Sequence, residues 1–335
     1  MVRFGILGFG LHAVKRVMPG FALARESRVT ALSRRELRKA QESARQFDIP
    51  LAFDSGEALC SSPEVDAVFV CSPNSLHLRD TLQAIECGKH VLCEKLMAMN
   101  AEEAAQMVEA AKKANVLLGI AQVFRFEEST ARLRDRIVEG QIGKPVFARS
   151  EFSFPGSREH ARKWLRDPVI AGGGAIADVG VHCIDALRYI LQDEVVRVTT
   201  SGITEGSNGV DLAAIMTLGF TRGTLGTVLV SYIPEYRTPM EFVGEGGTLF
   251  ANDGLTVDRP VQLELRRGGK IVESETISNH LAYAHQVDAF AAAVEGKSKF
   301  PVPGEEGWQN QAILDAAFRS LKSSKAEMVF KATAR

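Results

Sequence analysis

The order of apolar and polar positions divides the chain into two styles. Through residue 122, short apolar or β-branched runs at 2–7, 28–32, 67–71, 90–93 and 116–120 alternate with longer stretches of helical period at 11–25, 35–47, 76–87 and 101–114. Alternation every second residue marks strands, and a period near 3.6 marks helices. Strands alternating with helices build βαβ units and a mostly parallel sheet. Asn100 can cap the helix at 101–114, with Glu103 three residues on, the spacing of a capping box. The stretch 126–138 also reads as a helix, one that leads into the second part.

Beyond about residue 145 the period changes. A strand-like run, PVFARSEFSF, precedes an Arg-rich stretch, the loop Gly172-Gly173-Gly174 and a helix at about 178–191. Short alternating runs then recur near 195–203, 211–218, 224–232, 240–244, 248–251, 261–266 and 270–277. Asn208-Gly209, Arg222-Gly223 and Gly268-Gly269 separate some of them, as turns separate antiparallel strands. Helices at about 280–295 and 305–323 end the pattern. The boundary is expected at residues 121–125, giving domains 1–122 and 123–335 with a cleft between them.

Composition narrows the class. An apolar share of 45% in 335 residues suits a globular chain of about two domains. A net charge of −1 argues against a dedicated nucleic-acid binder, which carries a basic excess. No run is expected to reach the roughly 18 apolar residues of a membrane span, and the N-terminus enters a strand-like VRFGIL rather than a secretory signal. The five cysteines, Cys60, Cys71, Cys87, Cys93 and Cys183, form no C-x-x-C pair. That pattern excludes a disulfide scaffold and a Cys-rich zinc module and points to a reducing cytoplasm.

The chemistry begins at Gly8-Phe9-Gly10-Leu11-His12-Ala13, a G-x-G-x-x-A loop between a strand and a helix. Gly8 permits a tight turn, Gly10 a close backbone approach to a pyrophosphate, and Ala13 close helix–strand packing; the helix N-terminus supplies donors and positive dipole. The order strand, loop, helix, strand is the context a dinucleotide site requires. His12 either touches phosphate or is a surface histidine without a specific role. After the next strand, Ser33 stands where an NAD site places a carboxylate for the ribose 2′-hydroxyl. Arg34 and Arg35 follow, and guanidinium beside a small hydroxyl suits a 2′-phosphate. NADP is therefore expected over NAD. Cys71-Ser72-Pro73-Asn74, with His77, and Glu94-Lys95 follow apolar strands, where ligands of doubly wound sheets bind. By itself, a lysine after a strand is an ordinary surface charge. Asp178, His182 and Asp185 share one face of a helix. They could bind a divalent metal, or His182 could act as an acid/base with a carboxylate orienting it, or the helix could be merely amphipathic.

Together, Gly8-Phe9-Gly10, Ser72-Pro73-Asn74 with His77, the run from Gly88 to Lys95 and the run from Gly173 to His182 resemble the Gfo/Idh/MocA oxidoreductase family. Gly244 to Leu249 and the helix from Tyr283 to Gly296 match its second domain. The resemblance implies an N-terminal Rossmann domain with a doubly wound parallel sheet, and a C-terminal α+β domain with an open, mostly antiparallel sheet, helices on one face, and dimer or tetramer contacts through that sheet. It implies hydride transfer between NADP(H) and a CH–OH or C=O group of a sugar, inositol or polyol. It makes Lys95 and His182 the acid/base groups, with Asp178 orienting, and no metal. A base role would require the lysine pKa to fall from about 10.4 toward about 7–8. It adds Gln122 and Trp164 to the cofactor path, and Arg166, Tyr283, Arg158, His160 and Tyr236 as candidates for holding substrate hydroxyls. The family's Glu-Lys-Pro maps to Glu94-Lys95-Leu96. With leucine replacing proline, the peptide is expected to be trans, since a non-proline cis bond costs about 3 kcal/mol. An NAD-dependent glycosidase on the same fold and a non-catalytic cofactor sensor are the competing readings.

Overall fold

The computed structural model describes residues 1–156, 163–206 and 209–330. They form two compact units. Among the described residues the first comprises Met1–Val123 and Tyr283–Gln311, and the second Phe124–Ala282 and Ala312–Phe330.

The first unit is built on six parallel strands: β1 (Val2–Leu7), β2 (Ser27–Ser33), β3 (Leu51–Phe53), β4 (Ala67–Val70), β5 (His90–Glu94) and β6 (Leu118–Ala121). Their order, β3-β2-β1-β4-β5-β6, is the doubly wound one. β4 and the inner residues of β5 are buried, as strands covered by helices on both faces must be. The three-residue β3 and the helix Gly56–Ser61 behind it are too short to leave a period and are absent from the sequence expectation. Asn100 caps Ala101–Ala114 as expected, its side chain accepting from Glu103 N at 2.9 Å, while Glu103 accepts from Met99 N at 3.0 Å.

The chain returns to this unit late. Phe290, from the helix Ala282–Val294, meets Phe4 at 5.9 Å and Phe300 at 5.2 Å between ring centroids. Gly119 in β6 has no room for a Cβ, which would lie 2.5 Å from the Phe300 ring. Burying those rings against the sheet assigns 283–311 to the first unit, so the division is not one cut in the sequence.

The second unit carries a nine-stranded sheet of β7 (Pro145–Ser153), β8 (Val195–Thr204), β9 (Asp211–Phe220), β10 (Leu225–Ser231), β11 (Met240–Gly244), β12 (Gly247–Ala251), β13 (Val261–Arg267), β14 (Lys270–Ile277) and β15 (Glu327–Met328). The order is β14-β13-β12-β11-β7-β10-β9-β8-β15, and among its pairings only β7–β10 is parallel. One face packs under the helix Val181–Leu191, which is buried at nearly every position. The other leaves Phe147 and Leu225 exposed opposite each other on β7 and β10, and Ile215 exposed on the adjacent β9, opposite Leu229. Against expectation, Pro168–Leu191 is long and apolar enough, by length and composition, to cross a bilayer; 78% of its window is buried within the fold, as in a core helix.

Candidate active site

Parallel strands end on one edge of their sheet. That edge presents, in strand order, Ser33, Gly8, Cys71-Ser72, Glu94-Lys95 and Gln122. At about 4.8 Å per strand, Gly8 to Gln122 spans about 15 Å. The reversal of strand order at β1–β4 opens the crevice where ligands of this architecture bind. Gly8 has φ +83°, and a Cβ there would lie 2.7 Å from Ser72 N, so only glycine fits the turn. Gly10 lies in the open: the nearest atom to its would-be Cβ is the Gly8 carbonyl, at 3.8 Å. The cradle therefore has the shape a pyrophosphate needs. Among the described residues Ser72 Oγ and Gln122 Oε1 are buried without hydrogen-bond partners, and a polar ligand along this edge would satisfy them. Ser33 is buried, Arg34 is half-buried with Nη1 2.8 Å from Ser43 Oγ, and Arg35 is exposed. These residues fit a nicotinamide dinucleotide.

Phe9 differs from its neighbours. Its ring is buried against Phe47 at 5.5 Å, and its N–H donates to the Ser33 carbonyl, so Phe9 serves the loop through packing. Leu11 is exposed at the start of the helix 11–23, which contains a wide π-type turn at Ala13–Val17.

Around Lys95, the structure assembles groups that spacing could not. Glu94, 8% exposed, places Oε1 2.8 Å from His12 Nε2 and accepts the Lys95 N–H through Oε2 at 3.2 Å. Burial pushes the Glu94 pKa up, but His12, then Lys95 and His77, pull harder and leave it below the ordinary carboxylate range. His12 is thus no idle surface histidine. His77 is fully buried, its Nδ1 2.6 Å from the Leu96 carbonyl and its Nε2 2.8 Å from the Ser72 carbonyl. It ties together the two segments that flank the crevice, rather than lining the cofactor path with a free face. Burial pushes its pKa down; the two carbonyls, Glu94 and Asp80 oppose that without reversing it. The Lys95–Leu96 peptide is cis, correcting the trans expectation. Leu96 is 2% exposed and its carbonyl faces His77, so tertiary packing overrides the local preference. Burial pushes the neighbouring Cys71 thiol well up. Pro73 and the buried Asn74 lead into the helix His77–Glu86.

In the second unit the Gly172–Gly174 loop enters a helix whose first turn, Ile176–Gly180, is also π-type. Asp211 holds this entry, accepting from Gly174 N at 2.7 Å and Ile176 N at 2.6 Å. A Cβ on Gly174 would lie 1.9 Å from the Asp211 carbonyl. Asp178 accepts from the Tyr232 hydroxyl at 3.1 Å. His182, 8% exposed, has the Phe124 ring at 4.6 Å, edge to face, and the Phe152 ring at 6.2 Å. Asp185 takes a different course: it accepts from Arg125 Nε at 2.8 Å and Nη2 at 2.6 Å in a buried bidentate pair. The shared face expected from spacing is therefore divided among three environments. Sequence reasoning missed Tyr232, Phe124 and Phe152 at this site, because strand and turn aromatics carry no motif.

Other expected substrate groups are committed within the fold. Arg166 pairs with Glu205 at 3.0 Å and donates to the Gly156 carbonyl at 2.5 Å. The Tyr236 hydroxyl donates to the Leu255 carbonyl at 3.3 Å, and its ring lies under the Arg259 guanidinium at 4.7 Å. Trp164 is half-buried in the turn Lys163–Arg166. Tyr283, assigned by sequence to the second domain, clusters with the first unit, its ring 6.4 Å from that of His12. Arg158, His160 and Asn208 lie outside the described residues.

Comparison with known proteins follows the same division. Residues 2–122 match the family described as "Oxidoreductase family, NAD-binding Rossmann fold", and 130–250 match the "GFO/IDH/MocA C-terminal domain". The chain is 32% identical to 1,5-anhydro-D-fructose reductase of Ensifer adhaerens over 97% of its length and 98% of that protein. It is 32% identical to D-xylose 1-dehydrogenase (NADP(+)) 2 of Haloferax volcanii, covering 96% and 98%. The solved structure of aldose-aldose oxidoreductase from Caulobacter crescentus, complexed with glycerol, superposes with a TM-score of 0.89 at 25% identity, covering 98% of this chain and 99% of that one.

Proposed function

The chain belongs to the GFO/IDH/MocA oxidoreductase family, and on that premise we propose that it is an NADP(H)-dependent dehydrogenase or reductase of sugars or related polyols. Lys95 and His182 carry protons, and Asp178 positions. The observation that carries this reading is the line of Gly8, Ser72, Lys95 and Gln122 along one sheet edge, with two buried polar atoms there lacking partners among the described residues.

A bound nicotinamide takes up or supplies the hydrogen and electron pair at the substrate carbon. This chain's residues do the rest. The backbone of Gly8 and Gly10 admits the pyrophosphate. Ser33, Arg34 and Arg35 favour a 2′-phosphate, since no carboxylate stands there to repel it. Lys95 Nζ gives a proton to the substrate oxygen in reduction and, as the neutral amine, takes that proton from the substrate hydroxyl in oxidation. His182 Nε2 or Nδ1 exchanges a proton with a substrate hydroxyl, and the Asp178–Tyr232 pair fixes an acceptor beside it. We propose a cytoplasmic setting, supported by five unpaired cysteines. We also propose a homodimer or homotetramer through the open face of the nine-stranded sheet, where Phe147, Ile215 and Leu225 are exposed.

The test is a screen of sugars, inositols and anhydro sugars with NADPH and NADH, read at the reduced-nicotinamide absorbance. Net absorbance change, with tighter binding of NADPH, is expected. Turnover without net change would mean the glycosidase reading, and no turnover with a stable protein partner the sensor reading. Lys95→Ala should keep the fold and NADPH binding while turnover drops about 10²–10⁴-fold; full turnover in that variant would remove Lys95 from the mechanism.

A further inference from the structure

We infer that His12 is a positioning residue for Lys95, acting through the Glu94 carboxylate. The inference rests on the proposed role of Lys95 and deepens it.

His12 belongs to the helix 11–23 that follows the glycine loop, and Glu94 is the last residue of β5. These elements are 82 residues apart in sequence, yet Nε2 and Oε1 are 2.8 Å apart. The second oxygen of the same carboxylate accepts the Lys95 backbone N–H. One carboxylate therefore joins the helix at the phosphate cradle to the backbone from which Lys95 projects. A carboxylate that is 8% exposed needs two or three good partners to remain ionised. His12 is the strongest of those opposing its burial. The groups facing Glu94 are His12 from the first helix, His77 from the helix after β4, Lys95 beyond β5, and the Cys71 and Cys93 thiols from the strand ends. The His12 ring also has the Tyr283 ring 6.4 Å away, edge to face, and Tyr283 packs closely on Gly20 of the same helix: a Cβ at Gly20 would lie 2.5 Å from Tyr283 Cβ. Its imidazole therefore has an aromatic neighbour in Tyr283 and a carboxylate partner in Glu94.

Loss of His12 removes the main group that keeps Glu94 charged. The carboxyl then protonates at higher pH or turns away, and its hold on the Lys95 backbone weakens. A histidine that merely contacted phosphate would act instead on cofactor affinity.

The experiment compares His12→Ala, His12→Gln, Glu94→Gln and His12→Ala/Glu94→Gln, measuring kcat at saturating NADPH, the NADPH Kd, and urea unfolding of the cofactor-free protein from about pH 2.5 to 6, a range that brackets the ordinary carboxyl pKa of about 4.3. His12→Ala is expected to lower kcat about 10-fold with a Kd change under about 3-fold. His12→Gln, which keeps an N–H near the Nε2 position, should restore most of the rate. The double variant should lose no more than Glu94→Gln alone, the non-additivity of groups acting as one unit. In the cofactor-free protein, a lowered Glu94 pKa stabilises the fold above the unfolded carboxyl pKa, and the gain is lost as pH falls through the folded value. His12→Ala should shrink that rise with pH. A Kd rising about 10-fold at unchanged kcat, or additive kcat losses, would overturn the inference. If Lys95→Ala kept full turnover, the proposed function would fail separately, while the unfolding profile would still report whether His12 sets the Glu94 charge.

Discussion

Asp185 separates two accounts of the helix that carries His182. By spacing it could orient His182; in the fold it is the buried partner of Arg125. Replacing it with asparagine keeps the volume and one acceptor oxygen but removes the charge. The pair is bidentate, at 2.8 and 2.6 Å, with side chains 5% and 3% exposed. The guanidinium also lies 5.2 Å from the Tyr189 ring, so it cannot leave for water without opening the packing. Removing one partner of such a pair costs about 3–5 kcal/mol, because the other charge is left uncompensated. With a urea m-value of about 2–3 kcal/mol per molar, the midpoint of the second unit should fall by about 1–2 M. The assay is available in the sequence. The chain has two tryptophans; Trp164 lies in the second unit and Trp308 in the first, so in a Trp308→Phe background the fluorescence reports the second unit alone. Replacing both partners with apolar residues, Arg125→Met with Asp185→Leu, should recover most of the loss, since no buried charge remains. Turnover per folded molecule should stay near the parent's. A midpoint shift worth less than about 1 kcal/mol, or a 100-fold fall in kcat at unchanged stability, would refute the reasoning and return Asp185 to His182.

Two further outcomes follow from the second unit. Glu127 is 1% exposed and burial pushes its pKa well above the carboxylate range, despite the Thr130 hydroxyl donating to Oε2 at 3.1 Å. The unfolded chain releases this proton first as pH rises, so stability should fall above about pH 4.3 by up to about 1.4 kcal/mol per unit until the folded carboxyl ionises. Urea titrations from pH 5 to 8 should show a flatter profile for Glu127→Gln; an unchanged slope would mean that Glu127 is ionised in the fold. Gly174→Ala forces a Cβ onto the Asp211 backbone and should cost about 3 kcal/mol or more, seen as a lower melting temperature. Gly180→Ala, whose Cβ would be tight against the flexible Met216 Cε at 3.2 Å and in ordinary contact with the Ala175 carbonyl and Val230 at 3.6 Å, is the tolerated control.

What the sequence determined by itself was local and periodic. The glycine loop, the strand–helix alternation to residue 122 and the short antiparallel strands after 145 depend on spacing within a few residues, which any chain of this composition displays openly. The cap at Asn100 is legible for the same reason: donor and acceptor lie three positions apart. Ser33 and Lys95 were legible because a parallel sheet puts all strand ends on one edge. Tertiary structure alone decided the contacts between distant segments. Phe290 and Phe300 carry 283–311 back to the first unit through a hydrophobic surface that no local period announces. His12 meets Glu94 across 82 residues, Asp185 meets Arg125 across 60, and Leu96 takes a cis peptide beneath His77. In each case a buried polar group or ring needed a partner that its own neighbours could not supply. Burial raises the cost of an unpaired group above the local preference, so the packed fold, rather than the spacing, chooses which candidate side chain does which task.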